Sequence, residues 1–226
     1  MLTYNPQTSF PNNESTDVGL GIKPKSTGEL PKLLQSLQQS SHLNKLEIDL
    51  HDEYDKIGKP QELLQSLGEF KCLTFLKISN ASNLLTCVLT FPDTVTELTL
   101  SKINCITDEG MNGLGNHTKL KILTLSGTVL DDGDSFDLNC VGGSFPQLEV
   151  FEMRNLKLRE WKLGNGGMPW LQSVIIRSCT RLDDLPNELW SLNDLRKVQV
   201  NYPSEQMTLM LQNLKIKNEV QLVIEC

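Results

Sequence analysis

No stretch of about 20 apolar residues, the length that crosses a bilayer as a helix, occurs in this 226-residue chain. Positive charge is also short: 21 Lys and Arg against 28 Asp and Glu leave a formal net charge of −7, with the basic residues scattered. A duplex or an anionic membrane is gripped by a positive stripe, so neither nucleic acid nor membrane is expected as a partner. Histidine is limited to positions 42, 51 and 117, none of them paired with a nucleophile in a motif. No catalytic constellation is legible, and an enzyme is not expected. Six cysteines, at 72, 87, 105, 140, 179 and 226, are spread without a close CxxC pair. Buried free thiols in a reducing compartment suit that spacing better than metal ligation or disulfides. His51-Asp52-Glu53 stands alone without spaced ligands and reads as a solvated loop. DDGD at 131–134 lacks the alternation and closing glutamate of a calcium loop and reads as a turn. Gly19 and Gly21 form a bare GxG with no third glycine, and no GxxxxGK[ST] phosphate loop exists, so no cofactor is expected. The opening MLTYNPQTSFPNNESTD has neither the basic nor the apolar region of a secretory signal. Sequons at Asn13, Asn80 and Asn116 matter only in a secreted chain.

What is present is a repeat. Leu171-x-x-Val174-x-Ile176 serves as a template that recurs along the chain. It returns as Leu43-x-x-Leu46-x-Ile48, Leu73-x-x-Leu76-x-Ile78, Val95-x-x-Leu98-x-Leu100 and Leu120-x-x-Leu123-x-Leu125. Leu148-x-x-Phe151-x-Met153 and Leu195-x-x-Val198-x-Val200 complete the series. The starts lie 30, 22, 25, 28, 23 and 24 residues apart, a ragged period inside the leucine-rich-repeat range. LLQSL at 33–37 and again at 63–67, each ten residues before a leading leucine, supports the same register. Each unit predicts a short strand whose later two apolar residues face a shared core; no single coil can bury them alone.

The fold class expected is α/β: a leucine-rich repeat solenoid with parallel strands on a concave face and helices or irregular segments behind. Returning segments beginning at Pro31 and Pro60 are expected to be helical. The stretch between Leu130 and Phe145, rich in Gly and Asp, is expected as a surface loop. The residue eight after each leading leucine is expected to turn the corner: Cys179, Thr128 and Ala81 suit it, while His51, Ile103 and Leu156 depart. Residues 1–17 lack periodicity and are expected to be disordered. The repeat domain then occupies 18–226 with about seven repeats; VGLGI at 18–22 is an earlier strand and EVQLVIE at 219–225 a closing one.

Positions two, four and six after the leading leucine point out of the concave sheet. The first column reads Lys45, Phe75, Glu97, Ile122, Val150, Ser173, Lys197. The second reads Glu47, Lys77, Thr99, Thr124, Glu152, Ile175, Gln199. The third reads Asp49, Ser79, Ser101, Ser126, Arg154, Arg177, Asn201. Phe75, Ile122, Val150 and Ile175 put apolar side chains on an otherwise polar face, a composition suited to the centre of a protein interface. Trp161, Trp170 and Trp190 invite the same reading, although Trp190, in the segment after Pro186, is expected to pack.

The 59 residues from Gly142 to Val200 resemble the C-terminal leucine-rich repeats of plant intracellular immune receptors of the nucleotide-binding, coiled-coil class. FPQLEVFEM, LREWKLGNGGMPWLQSVIIRSC and CTRLDDLPNELWSL carry the likeness. It implies a cytoplasmic domain of innate immunity that recognises a pathogen effector or a host protein and restrains a signalling module. A nucleotide-binding domain in a longer product is an implied partner; ATP binding is not, since its loop is missing. Substrate-receptor repeats of the F-box ubiquitin-ligase class are the alternative, because CITDEGMNGLGNHTKL resembles one of their cysteine-containing units. An extracellular receptor ectodomain is a third reading, and its NxLxGxIP continuation follows no strand here.

Overall fold

The structure, a computed structural model, describes residues 18–23, 29–38, 40, 42–50, 66–82, 84–86, 91–128, 134–214 and 220–225. The expectations for 1–17, His51–Glu53, the helix start at Pro60, Asn13, Cys87, Cys226 and 131–133 lie outside these residues.

Each repeat supplies one strand. They are β1 (Val18–Ile22), β2 (Leu43–Asp49), β3 (Phe75–Ser79), β4 (Glu97–Ser101) and β5 (Ile122–Ser126). β6 (Phe136–Cys140) and β8 (Leu158–Leu163) stand apart from the series. β7 (Val150–Arg154), β9 (Ser173–Arg177), β10 (Lys197–Asn201) and β11 (Gln221–Glu225) continue it. Nine of the described strands form one sheet in the order β1-β2-β3-β4-β5-β7-β9-β10-β11, every neighbouring pair parallel. VGLGI and the QLVIE segment thus take the places expected of the first and closing strands.

The core follows from the strand phase. Leu46, Leu76, Leu98, Leu123, Phe151, Val174 and Val198 are consecutive register partners, each at most 1% exposed. Ile48, Ile78, Leu100, Leu125, Met153, Ile176 and Val200 make a second buried row beside them. Alternation puts both rows on one side of the pleat, and burying each such side chain contributes about 1.5–3 kcal/mol. The leading Leu or Val of every unit is buried too.

Corners are built one residue earlier than the sequence suggests. Asn80, Lys102, Asn155, Ser178 and Tyr202, each just after its strand, have φ between 51° and 61°. In those five units the residue seven after the leading leucine therefore makes the left-handed turn, which Gly127 of the fourth unit does not share. Of the residues eight after that leucine, Ala81, Ile103, Leu156 and Cys179 are buried and Thr128 is half-buried. That explains why large apolar side chains are accepted there. Cys179 still bonds backbone, its Sγ lying 3.7 Å from the Arg177 carbonyl oxygen. At the corresponding position in the fourth unit, Gly127 is needed for space rather than for backbone conformation, since a Cβ would stand 2.3 Å from the Asn155 carbonyl oxygen.

Behind the sheet lie α1 (Glu29–Gln38), α2 (Asp108–Gly115), α3 (Glu205–Asn213) and 3-10 turns at Leu84–Thr86 and Asn187–Ser191. α1 begins two residues before Pro31 and buries Leu30 and Leu34. Residues 66–68 are helical, as the segment after Pro60 predicts. Thr107 caps α2 by accepting from the Gly110 amide, and Ser204 caps α3 by accepting from Met207.

The Gly- and Asp-rich stretch before Phe145 is not a plain loop. Phe136–Cys140 forms β6, which pairs in parallel with β8 behind the main sheet. Leu138 and Trp161 are buried, and the Trp161 ring meets Phe151 edge-on with centroids 5.5 Å apart. Trp190 is half-buried against the core, as its position predicts, whereas Trp170 is 58% exposed.

His117 gives this framework a pH dependence. Its Nε2 accepts from the Phe91 amide at 3.2 Å, which requires an unprotonated nitrogen. Burial pushes its pKa below the usual 6.5, opposed by the charge of Asp93. The unfolded chain therefore takes up the proton first, so this contribution is complete above pH 6.5 and is lost as pH falls below it. The thermal midpoint should decline from about pH 7 to pH 5, with a slope of at most about 1.4 kcal/mol per pH unit from this group. A His117→Gln variant should flatten that part of the profile; an unchanged slope would remove His117 from the account.

Candidate functional site

The three outward columns become three rows across the open face. Lys45, Phe75, Glu97, Ile122, Val150, Ser173 and Lys197 are successive register partners. So are Glu47, Lys77, Thr99, Thr124, Glu152, Ile175 and Gln199. In the third row Asp49 adjoins Ser79, and Ser101, Ser126, Arg154, Arg177 and Asn201 follow in register. Every residue expected on the face is there. β1 adds Gly19 and Gly21, and β11 adds Gln221, Val223 and Glu225. Those five escaped the template because neither edge strand carries a complete LxxLxL.

Gly19 and Gly21 sit in a strand rather than at the mouth of a helix, so they form no dinucleotide turn. Their missing side chains leave a shallow hollow bordered by Lys45, Glu47, Phe75 and Glu97.

The polar groups are ordered by one another. Lys77 Nζ lies 2.9 Å from Glu47, and Lys23 Nζ lies 2.8 Å from Asp49. The hydrogen bond from Lys23 is the main reason the Asp49 carboxyl sits below its ordinary pKa, with Asn80 adding a second. Farther along, Glu152 Oε1 and Oε2 accept from Arg154 Nε and Nη2 at 2.7 and 2.8 Å, and Oε1 also accepts from Arg177 Nε at 3.0 Å. Burial alone would raise the Glu152 carboxyl, but the two guanidiniums outweigh it and leave the pKa lowered. At the far end Gln199 donates to Asn201, which donates to Glu225.

Between these charges Phe75, Ile122, Val150 and Ile175 are half-buried, flanked by neighbours but covered by none of the described elements. Ile122 and Val150 are directly side by side, and Ile175 lies one strand on and one position along. No group of three or more His, Cys, Asp or Glu among the described residues could hold a metal. No described helix is long and apolar enough to cross a membrane. Burial raises the thiols of Cys140 and Cys179 to about 12 and about 11, so neither is a thiolate at neutral pH. What the face offers is shape, apolar contact and oriented hydrogen bonds.

No family model matches the sequence. Among curated proteins its relatives are plant disease resistance proteins, each similar over part of this chain. Disease resistance RPP8-like protein 3 of Arabidopsis thaliana is 36% identical over 62 residues, 27% of this chain and 7% of its own length. Putative late blight resistance protein homolog R1B-13 of Solanum demissum is 24% identical over 101 residues, 44% of this chain and 9% of its own length. Probable disease resistance protein RF45 of Arabidopsis thaliana is 29% identical over 103 residues, 43% of this chain and 9% of its own length. The chain spans less than a tenth of the length of these relatives.

Proposed function

We propose that this chain is a protein-recognition module of plant defence that binds a pathogen effector or a host protein through its open sheet face. One observation carries the reading. Parallel sheets ordinarily have both faces covered, yet among the described residues one face of this nine-stranded sheet carries no covering element. That face is rigid, extended and mixed in polarity, with apolar side chains between ordered charges. Such a platform grips a macromolecule better than a small substrate.

The disease resistance relatives supply the biological setting, and the four described cysteines, free although Cys72 is exposed and Cys105 only half-buried beside the buried Cys140 and Cys179, suit a reducing, cytoplasmic one. Asn80 speaks the same way, because the nitrogen that would carry a sugar donates to Asp49 at 2.6 Å. The module acts by surface complementarity, with no reaction of its own. In a longer product it would sit beside a nucleotide-binding domain.

Affinity capture from infected plant tissue, using the native chain and a Phe75→Ser/Ile122→Ser/Ile175→Ser variant, tests this. The variant should keep its thermal midpoint and lose the proteins that the native chain retains. Retention of the same proteins, or unfolding of the variant, would contradict the proposal.

A further inference from the structure

The open face is not electrostatically uniform. Near β2 and β3, Lys77 pairs with Glu47 and Lys23 with Asp49. On β7 and β9 two guanidiniums share one carboxylate. Glu152 is only 8% exposed, while the side chains of Arg154 and Arg177 are 48% and 43% exposed. The cluster therefore carries one excess positive charge, in a chain whose net charge is −7. Asn201, next in the row, stands between this pair and Glu225 and holds that carboxylate with its own amide.

Geometry makes the excess useful. Arg154 and Arg177 are register partners on neighbouring strands, so their stems rise roughly 4.8 Å apart and in the same direction. Glu152 fixes both by their Nε edges, using three of the guanidinium hydrogens. Each guanidinium carries five N–H donors in a rigid fork. The remaining Nη donors meet no acceptor among the described residues and face outward. Ile175 stands in the adjoining row, beside Glu152, and Val150 one row farther on. A buried carboxylate behind, oriented donors in front and an apolar shelf alongside together define a small anion-recognising place.

We propose that Arg154 and Arg177 form a carboxylate-binding subsite that seats an Asp or Glu of a protein partner, with a neighbouring apolar side chain of that partner resting on Ile175 and Val150. This rests on the reading of the open face as a recognition surface. A nucleic-acid phosphate is the poorer occupant, because one isolated positive charge makes no stripe for a backbone to follow.

The test is selection of a random phage-displayed peptide library on the full chain, followed by titration of synthetic winners against variants. Enriched peptides should carry Asp or Glu within two positions of a large apolar residue. Their binding should fall about 10- to 100-fold in Arg154→Ala/Arg177→Ala, and Lys at both positions should restore only part of it because a lysine lacks the fork. The Ala pair leaves the buried Glu152 carboxylate without its partners and should melt below the native chain, whereas the Lys pair keeps both charges and serves if the Ala pair does not fold. Acidic winners that bind the Ala and Lys variants undiminished would overturn the subsite. Winners without acidic residues that still fail on the Phe75, Ile122 and Ile175 serine variant would overturn the subsite and leave the open-face reading standing. Winners indifferent to both sets would overturn the open-face reading, and no enrichment at all would count against both. Self-association of the native chain that the Ala pair abolishes would reassign the subsite to a second copy.

Discussion

Replacing Phe151 by alanine is expected to lower the unfolding free energy by about 3–5 kcal/mol. Every other member of its buried row is Leu or Val, and Phe151 is larger because of what lies behind it. β6 and β8 form a second layer there, and Trp161 meets the Phe151 ring edge-on at 5.5 Å. Such aromatic pairs contribute about 0.5–1.5 kcal/mol beyond area burial. Truncation would open a void between two layers held by rigid ladders, with little that can collapse into it. Denaturant unfolding gives the number directly. A loss below about 1 kcal/mol would mean that the second layer does not press on the first.

Leu123→Ala is expected to cost about 2–5 kcal/mol. Leu123 is fully buried between Leu98 and Phe151 in the middle of the sheet. In a stacked array each coil touches only its neighbours, so a void in the central coil weakens two interfaces at once. The same truncation at Leu222, only half-buried on the last strand, should cost less. A change of a few tenths at Leu123 would place it outside the spine.

The seven main strands were legible because a fixed x-x-x spacing states both the strand and its phase. Once phase is known, alternation assigns each residue to core or open face, and all three outward columns emerged in register. Two things were hidden. β6 reads as FDLNC after a run of Asp and Gly, with too little alternation to stand out; its pairing with LREWKL, twenty-odd residues on, supplies the burial. An available signal was the echo of CVGGSFPQL at 140–148 in LGNGGMPWL at 163–171, whose glycine turns stack on each other. The corners were hidden for a different reason. Left-handed backbone is usually announced by glycine, but here Lys102, Ser178 and Tyr202 adopt it under the constraint of the ladder. Of the charged cluster, Glu152 and Arg154 share a face visibly two residues apart, whereas Arg177 joins them only through strand register.

The register itself bears everything said about the open face, and one pair of crosslinks reads it. In a background with Cys72, Cys87, Cys105 and Cys226 replaced by serine, Thr99→Cys/Thr124→Cys should close a disulfide under mild oxidation, because those residues are direct partners. Thr99→Cys/Ser126→Cys should stay open, since a diagonal of roughly 8 Å between neighbouring strands exceeds the reach of the bond. Closure of the diagonal pair with the direct pair left reduced would show that these rows do not exist.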